Sequence, residues 1–451
     1  MCEQGNTTGQ IGHAYFLRVD AKIRGMSPLT APILVSKRNP TINRLAKGDA
    51  PIHRWYRFVL SFPAHVVREY IDEFKQENES FVLDPFCGTG TALVESKKND
   101  QPSIGIESHP MTHFASGVKT TWNIGPEDFR KEANAIATDA SKEIKYKGEL
   151  LTLSTEQSEL LLKDSICPMP LHQLIVLRNV ICENASLKIR DHLLLALAKT
   201  AVAKASNLHF GPEVGVRGRK ESVDVIAGWL EDIEDMSNDL EEFNGYSTAP
   251  THIIRGDSRE PDFGHITENN KIGLVITSPP YPNEKDYTRT TRLESVLLGF
   301  INNRDQLREV KRGLIRSNTR TIYKGDDDRL AIEHLVKIKT LAEVIENRRK
   351  ELGKTSGFEK QYHKVVLEYF GGMARHLAAL RPHLKKGAHL AYVVGDQASF
   401  FRVMIRTGDI LKEIALELGY EHVRTDLFRE RISTATGDFL REEVLILKWS
   451  K

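Results

Sequence analysis

The chain has 451 residues, of which 40% are hydrophobic and 27% charged, as in an ordinary large globular protein. Its formal net charge of +2 excludes a globally basic surface, so any surface that binds a polyanion must be local. The four cysteines include no Cys-x-x-Cys pair, which argues against a zinc site or a disulfide framework and indicates a reducing, cytoplasmic setting. The same cysteine pattern leads us to predict no metal site. The N-terminus lacks a signal pattern and the apolar helices are interrupted by charges, so we also predict no membrane association.

The first part of the chain predicts the start of an α/β sheet. Residues 1–50 mix Gly, Pro and Ser, a composition typical of a loosely structured lead-in. Arg54–Phe74 begins with aromatic residues, which we interpret as core, and continues with the spacing of an amphipathic helix. Apolar runs and helical patterns then alternate up to Trp122, and this order predicts a parallel sheet.

A glycine-containing turn follows the first apolar strand, Phe81–Leu83, and precedes a helix. Because Gly88 and Gly90 have no Cβ atom, a ligand can approach the backbone closely there. The next strand, Ser103–Ile106, is followed by Glu107, at the position where an acid binds ribose hydroxyls in a doubly wound sheet. The turn is neither a dinucleotide fingerprint nor a P-loop, because the third glycine and the Gly-Lys-Ser/Thr step are both missing.

Residues 125–250 have helical periodicity and predict an insertion between two halves of the sheet. Near the centre of this insertion, Ser206–Lys220 combines Gly and Pro with basic and aromatic residues. Such a loop suits contacts with phosphates and bases, and a solvated turn is an equally good interpretation. The candidate contact residues in the loop are Arg217 and Arg219.

A second turn, Thr277–Tyr281, follows a buried apolar strand that begins at Ile272. Its two consecutive prolines end the strand and supply carbonyl oxygens without competing N–H donors. Ser278 adds a hydroxyl and Tyr281 an aromatic ring. Together they can accept hydrogen bonds from an exocyclic amine and stack on the flat base that carries it, although an ordinary strand-ending turn has the same pattern.

A second insertion, residues 301–362, is locally basic. Within it, Asn302–Gly325 contains seven basic and two acidic residues, which is a net charge of +5 and exceeds that of the whole chain. This clustering so soon after the second turn favours a surface that grips nucleic-acid phosphates over a solvated helix face. We take Arg312, Arg316 and Arg320 as the candidate contact residues.

The C-terminal segment predicts further strands at Ala388–Val394 and Glu443–Trp449, with another between Tyr420 and Arg431. At least six strands are then expected in total. The predicted fold class is α/β, with a doubly wound, mostly parallel Rossmann-like sheet and helical insertions. Ligands of such a sheet bind at the carboxyl ends of its strands, which is where both turns fall.

Together, the two turns resemble those of DNA amino-methyltransferases that use S-adenosylmethionine. Asp84–Thr91 resembles their cofactor loop, and Ser278–Tyr281 resembles their catalytic motif in the variant typical of cytosine-N4 enzymes. Adenine-N6 relatives usually carry Asp or Asn in place of Ser278. Arg255–Ser258 resembles a further motif, in which Asp257 would face the cofactor adenine. The cofactor-binding residues implied by the resemblance are Asp84, Pro85, Phe86, Gly88, Gly90, Thr91, Glu107 and Asp257.

The resemblance implies methyl transfer to an exocyclic amine, whose lone pair is delocalised into the base. Acceptors aimed at its N–H groups favour the pyramidal nitrogen that can react. We assign this role to Ser278 and to the carbonyl of Pro279 or Pro280, and we assign stacking of a flipped base to Tyr281. Carbon-5 methylation is disfavoured because it needs a thiolate within Pro-Cys, whereas this chain has only the reverse order, Cys167-Pro168.

The resemblance implies that DNA is the partner, with a restriction endonuclease as a candidate second partner. Adenine-N6 methylation of DNA and guanine-N2 methylation of RNA stay open, as does a non-catalytic nucleic-acid-binding module with the same fold.

The resemblance also divides the chain into segments by function. The segments are a lead-in (1–50), the cofactor-binding half (51–124), a helical insertion for target recognition (125–250), the catalytic half (251–300), the basic insertion (301–362) and the C-terminal part of the sheet (363–451).

Overall fold

A seven-stranded, mostly parallel sheet forms the centre of the protein. The computed structural model describes residues 46–57, 62–74, 80–145, 148–211, 213–243, 245–267, 271–283, 285–432 and 437–451, so most of the predicted lead-in lies outside the described residues. The strands are β1 (Phe81–Asp84), β2 (Ser103–Glu107), β3 (Leu208–Phe210), β4 (Val214–Val216), β5 (Thr251–Arg255), β6 (Ile272–Thr277), β7 (Leu384–Gly395), β8 (Glu421–Ile432) and β9 (Phe439–Trp449). The order in the large sheet is β5-β2-β1-β6-β7-β9-β8, with β9 antiparallel to both of its neighbours. This confirms the predicted doubly wound α/β fold.

Helices cover both faces of this sheet and build the insertions between its strands. The long helices of the first insertion lie within residues 125–250, for which helical periodicity is predicted. The helices are α1 (Ala64–Glu73), α2 (Thr91–Lys98), α3 (Pro110–Lys119), α4 (Pro126–Lys145), α5 (Thr155–Leu160), α6 (Pro168–Asn184), α7 (Leu187–Thr200), α8 (Val225–Phe243), α9 (Tyr287–Thr290), α10 (Arg292–Leu297), α11 (Arg304–Arg312), α12 (Val336–Glu351), α13 (Tyr362–Leu380) and α14 (Thr407–Glu417).

The central strands are apolar on both faces, because helices cover each side. Every residue of β1 and β6 is buried. Alternate side chains point to opposite sides, so Leu83 and Val275 pack in the core that contains α13, whereas Val82 and Leu274 pack in the core that contains α1. This two-sided burial explains why both strands read as continuous apolar runs in the sequence.

The chain reverses its direction of travel across the sheet at β1. From β1 it proceeds outwards to β2 and β5, and it then returns to place β6 on the other side of β1. The carboxyl ends of β1 and β6 therefore lie side by side at a topological switch point. In open α/β sheets this is the position of the ligand site.

The first insertion is a helical subdomain with a small hairpin. Helices α4, α6, α7 and α8 enclose a separate core that includes Phe129 and Trp229, both fully buried. The loop predicted at Ser206–Lys220 contains a two-stranded antiparallel ribbon, β3–β4, which we had not predicted. The boundaries assigned to this insertion and to the other segments stay a prediction.

Candidate active site

A cavity of about 690 Å³ opens at the switch point, a size suited to a bound small molecule. Its lining comes from the turns that follow three neighbouring strands. Pro85–Gly88 lies after β1, Glu107 ends β2, and Ser278–Tyr281 follows β6. The two turns identified in the sequence therefore face the same space.

Gly88 lines the cavity and adopts a left-handed backbone conformation, with φ at +51°. Its N–H donates a hydrogen bond of 2.8 Å to Oε2 of Glu107. A Cβ atom placed on Gly88 would meet nothing closer than the carbonyl oxygen of Phe86, at 4.0 Å. Glycine is therefore favoured here by its backbone conformation, and the missing side chain leaves room inside the cavity.

Gly90 packs against a neighbouring helix. It precedes α2 with φ at +81°, and it does not line the cavity. A Cβ atom there would lie 3.0 Å from the Cβ atom of Ser116, so the glycine allows the turn to pack against α3. Thr91 is also buried. Contact of Gly90 and Thr91 with the cofactor stays a prediction.

Glu107 is held by backbone N–H groups. Its two carboxylate oxygens accept hydrogen bonds of 2.8 Å from Gly88 and His109. Burial raises the pKa of Glu107, and these backbone hydrogen bonds oppose the rise. The result is a fixed acceptor at the edge of the cavity, suited to hydroxyl groups of a ligand.

A buried hydrogen bond joins the two turns. The hydroxyl of Thr277, at the end of β6, donates to Oδ1 of Asp84, at the end of β1, over 2.6 Å. The same oxygen accepts the N–H of Phe86. Burial raises the pKa of Asp84 to about 7, and Oδ2 has no hydrogen-bond partner within the part of the chain that the structure describes. Asp84 therefore does not line the cavity, and its hydrogen bonds hold the ends of β1 and β6 together at the switch point.

The raised pKa of Asp84 predicts a pH-dependent gain in stability for Asp84→Asn. The pKa of Asp84 is near its ordinary value of 3.8 in the unfolded chain and about 7 in the folded protein, so ionisation increasingly favours the unfolded state as pH rises between these values. Asparagine does not ionise. Relative to wild type, the free energy of unfolding of the variant should rise by about 2–3 kcal/mol between pH 5 and pH 8. Urea unfolding of both proteins measures this, and a difference that does not change with pH would contradict it.

The turn after β6 presents all four of its predicted residues to the cavity: Ser278, Pro279, Pro280 and Tyr281. Burial raises the pKa of the Tyr281 hydroxyl, and a hydrogen bond with the Ser278 side chain opposes the rise. The Tyr281 ring lies against Gly395, where a Cβ atom would be only 3.1 Å from the ring. A hydroxyl, proline carbonyls and an aromatic ring are thus placed together.

Residues 311–318, here called the strap, connect the two sides of the cavity. The ammonium of Lys311 donates to Asp286, 2.8 Å away. The side-chain amide of Asn318 donates to the backbone carbonyl of Lys285. On the other side, the hydroxyl of Ser108 donates to a backbone carbonyl of the strap. Four strap residues line the cavity: Gly313, Leu314, Ile315 and Ser317. The basic insertion is therefore part of the cavity wall.

The ion pair between Lys311 and Asp286 predicts a large loss of stability for Lys311→Met. Asp286 is buried and caps α9 through Thr288, so the variant would leave its charge uncompensated. We expect the free energy of unfolding to fall by about 3 kcal/mol. Lys324→Met, at an exposed position of the same insertion, should change it by less than about 0.5 kcal/mol.

Adding Asp286→Asn to Lys311→Met serves as the second test of this ion pair. Asparagine removes the unpaired charge, so the double variant should recover part of the lost stability. Urea unfolding of all four proteins gives the comparison. If the double variant is less stable than Lys311→Met alone, the loss has another cause.

Known proteins match both the glycine turn and most of the chain. The N6_N4_Mtase family model, described as DNA methylase, matches residues 36–114, which include the glycine turn and Glu107. The type II methyltransferase M.AvaI of Nostoc sp. is 25% identical over 405 residues, covering 83% of this chain and 80% of that protein. M.BsoBI of Geobacillus stearothermophilus is 24% identical over 425 residues, covering 86% and 82%, and M.MjaII of Methanocaldococcus jannaschii is 23% identical over 289 residues, covering 46% and 54%. The chain is therefore similar to DNA methylases of the N4/N6 amino-methyltransferase family in the region of the glycine turn, and to type II methyltransferases over most of its length.

Asp257 lies beside the cavity and is already paired. The guanidinium of Arg259 bonds both of its carboxylate oxygens and also bonds Asp328. Asp257 does not line the cavity, whereas the next residue, Ser258, does. A role for Asp257 at the cofactor adenine therefore stays a prediction.

Within the described ranges, the basic insertion exposes fewer free charges than its composition indicated. Arg316 is buried and forms an ion pair with Asp326, 3.0 Å away, and its assignment as a phosphate contact stays a prediction. Arg312 and Arg320 are exposed. Of the seven basic residues, carboxylate partners are found for Arg304, Arg308, Lys311 and Arg316, and among the described residues none is found for Arg312, Arg320 and Lys324. Both hairpin candidates are exposed, with Arg219 paired to Glu221 and Arg217 free of such a pair in the described ranges.

Several residues that line the cavity were not predicted from the sequence. Phe428, Arg429 and Arg431 of β8 line the cavity together with Glu442 of β9, which bonds Arg429 over 2.6 Å. Two arginines spaced two residues apart on a predicted strand were the available signal, since they share one face. Arg57 and Lys285 also line the cavity, and single basic residues of this kind give no signal in a sequence.

The described ranges contain neither a helix with the length and apolar character needed to cross a bilayer nor a group of three His, Cys, Asp or Glu side chains placed to hold a metal ion.

Proposed function

We propose that this chain is a site-specific DNA methyltransferase that transfers a methyl group from S-adenosylmethionine to the N4 amine of cytosine. The observation that carries the proposal is that Ser278–Tyr281 and the pair Gly88 and Glu107 line one cavity. The related proteins named as type II methyltransferases support action on DNA at defined sites, in a restriction-modification or defence setting. A cytoplasmic location and a partner restriction endonuclease accord with that setting.

The cavity fits S-adenosylmethionine by the chemistry of its lining. Gly88 leaves open space beside a bare backbone, and Glu107 offers a fixed carboxylate for ribose hydroxyls. Pro85 and Phe86 add apolar surface to the same wall. When bound, the cofactor supplies an activated methyl group on its sulfonium.

The residues of the catalytic turn would prepare the amine. Ser278 Oγ and the carbonyl of Pro279 or Pro280 accept hydrogen bonds from the amine N–H groups and favour the pyramidal nitrogen whose lone pair can react. Tyr281 stacks on the base, which must leave the duplex because its amine is otherwise inaccessible. Holding amine and methyl donor in one cavity supplies the proximity that the transfer needs.

The choice of cytosine rests on Ser278, and methylated-nucleoside analysis tests it. The protein is incubated with labelled S-adenosylmethionine and with duplex DNA, single-stranded DNA or RNA, and the digested nucleosides are separated. We expect label in N4-methylcytosine from DNA, and less of it with Ser278→Ala over the same incubation time. Label in N6-methyladenine or N2-methylguanine would replace the proposed substrate. No label in any nucleic acid, together with no cofactor binding by calorimetry, would indicate a non-catalytic binding module.

A further inference from the structure

The hairpin β3–β4 of the first insertion is rigidly anchored at its base. Asn207 is buried there, and its side-chain amide donates to the carbonyl of Asp164 over 2.9 Å. Its side-chain oxygen accepts the N–H of Lys220, and its backbone carbonyl accepts the N–H of Arg217, both over 2.8 Å. The last bond continues the strand pairing beyond β4. The hairpin is therefore a ribbon with a fixed direction and not a loose loop.

The register of the ribbon sorts its side chains onto two faces. Leu208 pairs with Val216 and Phe210 with Val214, so one face is apolar, and Val214 is buried against the protein. His209 pairs with Gly215 on the opposite face.

The same alternation places Glu213 and Arg217 on the face of His209, and all three side chains are exposed. A Cβ atom on Gly215 would meet nothing within 4 Å, so this outer face is open and polar.

The outer face begins at the active-site cavity. Glu213 lines the same cavity as Ser278 and Tyr281, and it pairs with Arg289 of α9, 3.5 Å away. From Glu213, alternate residues lead along the strand and away from the cavity to Arg217. A ligand that occupies the cavity would therefore lie next to any molecule that binds against the outer face of the hairpin.

We propose that the outer face of β3–β4 enters the DNA major groove and reads the base pairs beside the target base, with Arg217 and His209 as specificity-determining residues. The inference rests on the proposed function. A two-stranded ribbon fits the major groove, and arginine there bonds O6 and N7 of guanine. The approach is permitted by the bare backbone at Gly215 and by Arg217, whose guanidinium has no carboxylate partner in the part of the chain that the structure describes. The sequence recognised should thus contain guanine next to the target.

Selection of duplexes by binding tests this assignment without relying on turnover. Wild type, Arg217→Ala and Arg219→Ala are each equilibrated with duplexes randomised around a fixed cytosine, and the bound fraction is sequenced. We expect wild type to prefer guanine at one flanking position. Arg217→Ala should lose that preference by about tenfold. Arg219→Ala should keep it and bind all sequences more weakly, with a salt slope reduced by about 0.9, as for a phosphate contact.

A uniform loss of binding across all sequences by Arg217→Ala, with a reduced salt slope, would show that Arg217 is only a phosphate contact and would overturn the inference. An unchanged preference in Arg217→Ala would overturn it as well. Methyl transfer by wild type to the selected duplexes is scored separately. Its absence would count against the proposed function, whereas the binding preference would still decide the role of the ribbon.

Discussion

Tyr281→Ala is expected to slow single-turnover methyl transfer by about 10- to 100-fold and to leave cofactor affinity unchanged. Loss of aromatic stacking on a base costs about 1–3 kcal/mol, and each 1.4 kcal/mol is tenfold. The affinity for the cofactor should not change, because Gly88 follows β1 and Glu107 ends β2, whereas Tyr281 follows β6. The measurement is transfer from labelled cofactor under single-turnover conditions, with equilibrium binding of both ligands.

Three further variants isolate the cause of that loss. Tyr281→Phe keeps the ring and should be milder than alanine. Ser278→Ala should lower turnover and have little effect on binding, because its hydrogen bond matters most as the nitrogen becomes pyramidal. Tyr246→Ala removes an exposed tyrosine outside the cavity and serves as the matched control. Wild-type rates for Tyr281→Ala and Ser278→Ala would mean that Thr277–Tyr281 is a structural turn.

Gly88→Ala is expected to weaken cofactor binding at least tenfold while the protein stays folded. The new methyl group would project into open space in the cavity, because the nearest protein atom is 4.0 Å away. The left-handed backbone adds a strain of about 1–2 kcal/mol. Calorimetric titration with S-adenosylmethionine measures the affinity, and urea unfolding measures the strain.

Two other glycines separate cavity filling from backbone strain. Gly353→Ala has the same left-handed conformation, with φ at +63° and open space around it, but it lies outside the cavity. It should reproduce the loss of stability without the loss of affinity. Gly90→Ala, against Ser116, should instead mainly destabilise the fold. If Gly88→Ala binds the cofactor as tightly as Gly353→Ala, the wall at Gly88 does not contact the cofactor.

Local patterns were sufficient to predict the sheet and the centre of the site. Strands β1 and β6 are apolar on both faces and end at glycine or proline, so their positions and the turns after them follow from short-range chemistry. The position of parallel strand ends then follows from the fold class. Gly88, Glu107 and Ser278–Tyr281 were predicted in this way, and they share a cavity in the structure.

Contacts between distant segments could not be predicted from the same patterns. The basic run around Arg316 indicated exposed charge, but burial and the ion pair with Asp326 depend on how the strap folds. Gly90 has the same sequence signature as Gly88, and its packing against Ser116 becomes visible only when α2 and α3 are placed. Strands as short as β3 and β4, with three residues each, fall below the length at which alternation is informative.

The hydrogen bond between Asp84 and Thr277 joins residues that are 193 positions apart. During synthesis, β1 and β2 therefore leave the ribosome well before β6, which covers the second edge of β1. Until β6 arrives, β1 has an open apolar edge, and unpaired edges of this kind recruit other strands. A nascent chain that stalls before Thr277 would expose this edge and depend on chaperones. The cavity is completed later still, because the strap, β8 and β9 supply part of its lining and follow β6 in the chain.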